Sequence, residues 1–149
     1  MYTNDEILAM SEDELNHAIA RVKGAKWWSI HPIDDAPEDA RPVLSGYECM
    51  IQDDKGDLPF LELPDGSGVP NWTRDIAAAW GLVEDILSVG GEITLSSETR
   101  SDNKRWGIVI FEFRNDGIGT GYTISNFAAA PIISLAISRA WLMWQEGRE

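Results

Sequence analysis

The residues able to do chemistry are few and scattered. His17 and His31 form neither an H-x-x-x-H nor an H-E-x-x-H pair, so no helical zinc hydrolase is encoded. A catalytic histidine needs a nucleophile and an orienting partner within hydrogen-bond reach. His17 lies beside Asn16 with Arg21 nearby, and His31 precedes Pro32 in a loop. Neither setting specifies such a set, and both histidines read as structural. Asp53-Asp54-Lys55-Gly56-Asp57 suggests calcium. A calcium loop, however, closes on a glutamate at its twelfth position, and counting from Asp53 the next one, Glu62, comes too early. The run reads as a solvated hairpin turn. No metal and no cofactor are expected.

Two glycine-rich stretches remain. Asp65-Gly66-Ser67-Gly68-Val69-Pro70 lacks the Lys-Ser/Thr of a phosphate-binding loop. It runs towards a helix start near Thr73 and Arg74, where backbone N–H groups and the helix dipole can hold an anion; the plainer reading is a connector and an ordinary cap. Gly117-Ile118-Gly119-Thr120-Gly121-Tyr122 is more informative. Alternating glycines let a ligand or another chain approach the backbone, or else mark a bulged edge hairpin. Trp106 and Tyr122 offer stacking faces, and Arg100, Lys104, Arg105 and Arg114 supply positive charge. The candidate ligand site is therefore Arg105, Trp106, Arg114, Gly119, Gly121 and Tyr122, with an anionic ligand held by stacking and charge.

Composition sets the limits. The chain has 149 residues, 44% of them hydrophobic, which suits one domain, 1–149, with a real core. No apolar run approaches the roughly 18 residues of a membrane span. The acidic start Met1-Tyr2-Thr3-Asn4-Asp5-Glu6 is unlike a signal peptide. A single cysteine, Cys49, allows no internal disulfide and favours a reducing cytoplasm. The net charge of −13 argues against direct binding to nucleic acid or an anionic membrane. It fits solubility, a basic partner or mimicry of nucleic acid. The seven tryptophans are read mainly as core, Trp27 and Trp28 among them.

Apolar periodicity then supplies the elements. A helix is predicted over residues 4–23, capped by Thr3 or Asn4. Ser11 with Glu14 is a second capping signal, which allows a short first helix and a main one starting at Ser11. Residues 73–89 form an amphipathic helix with Thr73 as cap. A third runs from about Ala130 to Gln145, with Pro131 in its first turn. Strands are expected at Lys26–Ile30, Tyr47–Gln52, Phe60–Leu63, Glu92–Glu98, Trp106–Phe113 and Ile118–Ile124. The stretch of about 29–70 reads as irregular and acidic, its Tyr47–Gln52 and Phe60–Leu63 strands pairing across the Asp53–Asp57 turn. Tight turns imply an antiparallel sheet. The fold class is α+β, a layered sandwich with a small, mainly antiparallel sheet and three main helices. The third helix is apolar around most of its circumference, so it is either central or shared with another chain. A homo-oligomer with Leu142, Met143 and Trp144 at its contact is the expectation.

Three stretches together resemble the phage ABA sandwich domain family, small α/β/α layered proteins of bacteriophage genomes. The first is Glu6-Ile7-Leu8-Ala9-Met10 with Glu14–Val22 and Lys26-Trp27. The second is Asn71-Trp72-Thr73-Arg74-Asp75-Ile76-Ala77-Ala78-Ala79-Trp80 with Val83-Glu84. The third is Ala129-Ala130-Pro131 with Ile137-Ser138-Arg139-Ala140. In order, these three anchors cover roughly 60 of the 149 residues. The resemblance implies a layered fold and expression in the cytoplasm of an infected bacterial host. It carries over no reaction and no catalytic residues. The expected function is a non-catalytic phage accessory protein acting by binding, in counter-defence, by sequestering a small anionic or nucleotide signal. The alternative is an acidic protein–protein inhibitor or DNA mimic directed at a basic host protein, motivated by the charge and by the acidic stretch from Asp34 to Asp65.

Overall fold

The computed structural model describes residues 2–100, 103–112, 122–123 and 128–147. The fold is α+β: helices are combined with two four-stranded sheets in which every described pairing is antiparallel. Contacts divide the chain into two compact units. Unit 1 is Met1–Ile19 with Pro70–Glu149, and unit 2 is Ala20–Val69.

The N-terminal helical signal splits where the second capping motif predicts. Helix α1 (Asn4–Ala9) opens on a capping box between Thr3 and Glu6. Helix α2 (Glu12–Val22) starts after Ser11, whose hydroxyl accepts the Glu14 N–H. Each cap satisfies N–H groups that the first turn of a helix cannot pair internally.

Unit 1 continues with helix α3 (Ile76–Ser88). Its cap is Asp75, which accepts from the Ala77 and Ala78 N–H groups, and Thr73 is fully buried instead. The buried face of α3 is Ala79, Leu82, Val83 and Ile86. Ile76, Trp80 and Leu87 remain about half exposed beside it.

Strands β5 (Glu92–Arg100) and β6 (Asn103–Glu112) form a long hairpin, with Ile93 opposite Ile110 and Leu95 opposite Ile108. The far edge of β6 pairs with β7 (Tyr122–Thr123) and β8 (Ala128–Ala130). Helix α4 (Ile133–Gly147) follows, leaving Pro131 ahead of the helix, where its missing N–H costs nothing.

Helix α4 touches α1, α3, β6 and β8. Its apolar circumference is used within one chain: Leu142, Met143 and Trp144 are at most 3% exposed. The expected oligomer contact at these residues therefore loses its ground. Sequence allowed a helix that is either central or shared, and this one is central. Its turns are tied down by polar groups as well. The Ser134 hydroxyl donates to the Thr73 carbonyl and the Ser138 hydroxyl to the Ser134 carbonyl, each at 2.8 Å.

The segment read as irregular holds a sheet of its own. Its strands are β1 (Lys26–Pro32), β2 (Arg41–Pro42), β3 (Glu48–Ile51) and β4 (Asp57–Glu62), in the order β2-β3-β1-β4. The expected pairing of β3 with β4 does not occur. Both pair with β1, so they run parallel to each other with β1 between them. The reason lies in β1, which supplies buried Trp28 and Ser29 and takes the central place.

Candidate functional site

Because β1 separates β3 from β4, residues 52–56 must cross β1. Parallel neighbours usually need a crossover of a dozen or more residues, and this one is far shorter. Side chains hold it down. Ser29 donates a hydrogen bond to Asp53 Oδ1, and His31 Nε2 lies 2.8 Å from the same oxygen. The Gly56 N–H donates to Ser29 Oγ at 3.0 Å, and the Lys55 N–H to Asp53 Oδ1 at 3.1 Å. A Cβ at Gly56 would sit 2.3 Å from the Ile30 carbonyl oxygen, so only glycine passes. The acidic turn that suggested calcium is thus a clamped crossover. Among the described residues, no group of three or more His, Cys, Asp or Glu is placed to hold a metal ion.

Ser29, His31 and Asp53 are the residue types of a nucleophile, a base and an orienting acid, but their wiring differs from a triad. In a triad the acid binds one ring nitrogen and the serine the other. Here Ser29 Oγ and Asp53 Oδ1 both approach His31 Nε2, and the serine proton goes to the carboxylate. Ser29 is also fully buried. The hydrogen bond from Ser29, with that of His31 next, lowers the Asp53 pKa to about 2. The carboxylate is a fixed acceptor that clamps the loop.

The crossover shapes what lies beside it. Trp28 pairs with Phe60 and Ile30 with Asp57, so Leu58 and Pro59 together face Ser29 alone. This is a bulge, and Pro59 fits it because it has no N–H to leave unpaired. Leu58 takes the left-handed conformation, φ +48°, in which a bulky non-glycine residue is an outlier. The side chain so placed is 76% exposed.

Leu58 has apolar company at that end of the sheet. The β2–β3 loop carries Leu44 and Tyr47, 108% and 82% exposed. That loop closes on a Gly46 N–H to Val43 carbonyl bond at 3.0 Å, and the Tyr47 carbonyl accepts from the Ile33 N–H at 3.1 Å. Tyr47, Glu48 and Asp57 line one recess of about 210 Å³ with His31 and Pro32, which brings the two loops together. Ile33 is exposed beside them. Asp34, Glu48 and Asp57 are exposed too, and no described residue forms an ion pair with them. This end of the sheet, with exposed Leu44, Tyr47 and Leu58 and the carboxylates of Asp34, Glu48 and Asp57, is the candidate functional surface.

The ligand site expected on the hairpins is not assembled among the described residues. Arg105 and Trp106 are consecutive on β6 and so project from opposite faces. Tyr122 pairs with Glu112, about 20 Å along the strand from Trp106 at roughly 3.4 Å per residue. Arg114, Gly119 and Gly121 lie outside the described residues. Arg105 does have a basic neighbour in Arg139, whose pKa is lowered by burial and by the Arg105 charge. Arg74, from the central sequence anchor, is paired instead with Glu12 at 2.8 Å.

That anchor has a structural use. The Asn16 amide donates to Asn71 Oδ1 at 3.1 Å and to Thr73 Oγ1 at 3.2 Å, while Asn16 Oδ1 accepts the Thr73 N–H at 3.2 Å. Asn16 and Thr73 are buried, where an unpaired polar group is costly, so the network fixes α2 against the approach to α3. His17 is exposed on α2.

Sequence reading missed Leu44, Tyr47 and Leu58. The available signal was large apolar residues set inside turn-forming runs, Leu44-Ser45-Gly46-Tyr47 and Gly56-Asp57-Leu58-Pro59.

Comparison with family models, curated proteins and solved structures finds no match to this chain. The likeness to the phage ABA sandwich family rests on the three sequence anchors.

Proposed function

We propose that this is a binding protein without catalysis, and that its working surface is the acid-rimmed apolar end of the unit 2 sheet, which docks a basic protein. The observation that carries this reading is the joint exposure of Leu44, Tyr47 and Leu58 beside Asp34, Glu48 and Asp57. Apolar centres with a charged rim are how protein interfaces are built. The stretch 34–65 holds ten Asp and Glu against two Lys and Arg, so the complementary partner is basic. The clamp wiring of Ser29, His31 and Asp53 supports a non-catalytic role. The resemblance to phage proteins adds the setting: the partner would be a host protein, and binding it would serve counter-defence. No described helix is long and apolar enough to cross a membrane.

Between the two expected modes, the geometry favours protein capture over sequestration of a nucleotide on the hairpins. The test compares the protein with a Leu44→Ser/Leu58→Asn variant as bait in bacterial lysate. The reading expects basic proteins retained by the first and lost by the variant, with capture falling as salt rises. Equal capture by both baits overturns it.

A further inference from the structure

A second feature of the unit 2 sheet lies at the other end of β1, where Lys26 pairs with Glu62. Alternation places Lys26 and Trp28 on one sheet face. The register then puts Glu62 of β4 and Arg41 of β2 on that same face. Arg41 lies across it. The guanidinium carbon is 4.0 Å from the centroid of the Trp28 ring, and Nη1 donates to both carboxylate oxygens of Glu62, at 2.7 and 2.9 Å. The ring fixes the plane of the guanidinium and the carboxylate fixes its rotation within that plane. Nε and Nη2 carry three further N–H donors, and these meet no acceptor among the described residues. Arginine presents such an edge to oxyanions as a rigid two-pronged donor.

The same residues wall a recess of about 170 Å³, formed by Gly24, Lys26, Trp28, Arg41, Gln52 and Glu62, among others. At about 30 Å³ per water molecule it has room for roughly six. That is well below the ~300 Å³ and upwards of pockets that enclose a whole organic ligand, but enough for one functional group. Lys26 and Arg41 against Glu62 leave a net positive charge in the recess of a protein whose total is −13. The wall is also shaped by its backbone. Gly24, at φ +91°, would place a Cβ 3.3 Å from Pro64 Cγ, so a larger residue there would be strained and would narrow the opening.

We propose that this recess binds an oxyanion group, a carboxylate or a phosphate, through the open edge of Arg41 and the ammonium of Lys26. Trp28 and Glu62 are its positioning residues, because they set the guanidinium before a ligand arrives and so reduce the ordering cost of binding. The site lies at the opposite end of β1 from the apolar cluster and stands independently of it.

Isotope-labelled protein titrated with inorganic phosphate, with acetate and with chloride at matched ionic strength tests this. Saturable NMR shifts are expected at the Trp28 indole N–H and at the Lys26 and Gln52 amides with phosphate or acetate, and none with chloride. Arg41→Lys keeps the charge but removes the fork, and is expected to weaken binding at least tenfold. Should that variant lose its fold through Trp28, the exposed Lys26→Met remains usable and is expected to weaken binding severalfold. A nucleoside monophosphate is the fourth titrant. Tighter binding than inorganic phosphate means that the recess takes the end group of a larger molecule, and equal binding means a free ion. Absence of saturable shifts, identical shifts with chloride, or wild-type affinity in whichever variants fold would overturn the proposal.

Discussion

Leu58→Gly separates the cost of the unusual bulge from its use. A left-handed conformation costs an L-residue about 1–2 kcal/mol, and Leu58 adopts it at φ +48°. Glycine removes that strain but loses about 0.5–1 kcal/mol through the greater freedom of its unfolded chain. Leu58 is 76% exposed, so little burial is forfeited. The balance is a stabilisation of about 0.5–1 kcal/mol, or roughly 1–4 °C in Tm for a chain of this size. Thermal and urea unfolding followed by tryptophan fluorescence reads the change, since Trp28 is buried in the same sheet. The variant should be the more stable protein and the poorer bait for a basic partner. A fall in Tm beyond about 2 °C would show that Leu58 supports the fold, and the argument that its exposure is kept for binding would fail.

Other perturbations probe the crossover, the buried network and the central helix. Gly56→Ala drives a Cβ to 2.3 Å from the Ile30 carbonyl oxygen and should destabilise unit 2 by about 3 kcal/mol, read as a lowered urea midpoint. Asp53 has a folded pKa of about 2 against an ordinary 3.8. Its contribution is therefore complete above pH 3.8 and is lost as pH falls through 2; urea midpoints from pH 5 to 2 should show it, and Asp53→Asn should flatten that part of the profile. Asn16→Ala strips the partner from the Thr73 N–H and should cost about 1–3 kcal/mol in chemical denaturation. Trp144→Ala, at a fully enclosed position, should cost about 3–5 kcal/mol while light scattering returns the same mass as the parent protein.

Local signals in the sequence were reliable where one short motif decides the structure. Thr3 as cap and Ser11 with Glu14 place two helix starts, and the alternation of Ile93, Leu95, Ile108 and Ile110 places the β5 and β6 strands, whose register the structure supplies. The start of α3 was displaced because Thr73 and Asp75 are both good caps, and the distant Asn16 together with Asn71 takes Thr73 away. The strand order of unit 2 was not legible. A turn of residues 52–56 fits a β3–β4 hairpin by every local rule, and the insertion of β1 depends on Ser29 and His31 reaching Asp53. The candidate surface was hidden for the same reason, since only that order sets the β2–β3 loop and the start of β4 at one end of the sheet, where Tyr47 and Asp57 line one recess. The all-round apolar α4 carried two readings, and the packing of α1, α3 and the sheet about it selects the central one.

Site-specific photo-crosslinking tests the central claim most directly. A photoreactive phenylalanine analogue replaces Leu44 in one protein and Gln52, an exposed residue towards the other end of the same sheet, in another. Both are irradiated in bacterial lysate at low and high salt. A basic protein crosslinked from position 44, absent from position 52 and diminished at high salt, is the predicted result. Equal adducts from both positions, or adducts from position 44 that are acidic or indifferent to salt, would contradict the assignment of this sheet end as the binding surface.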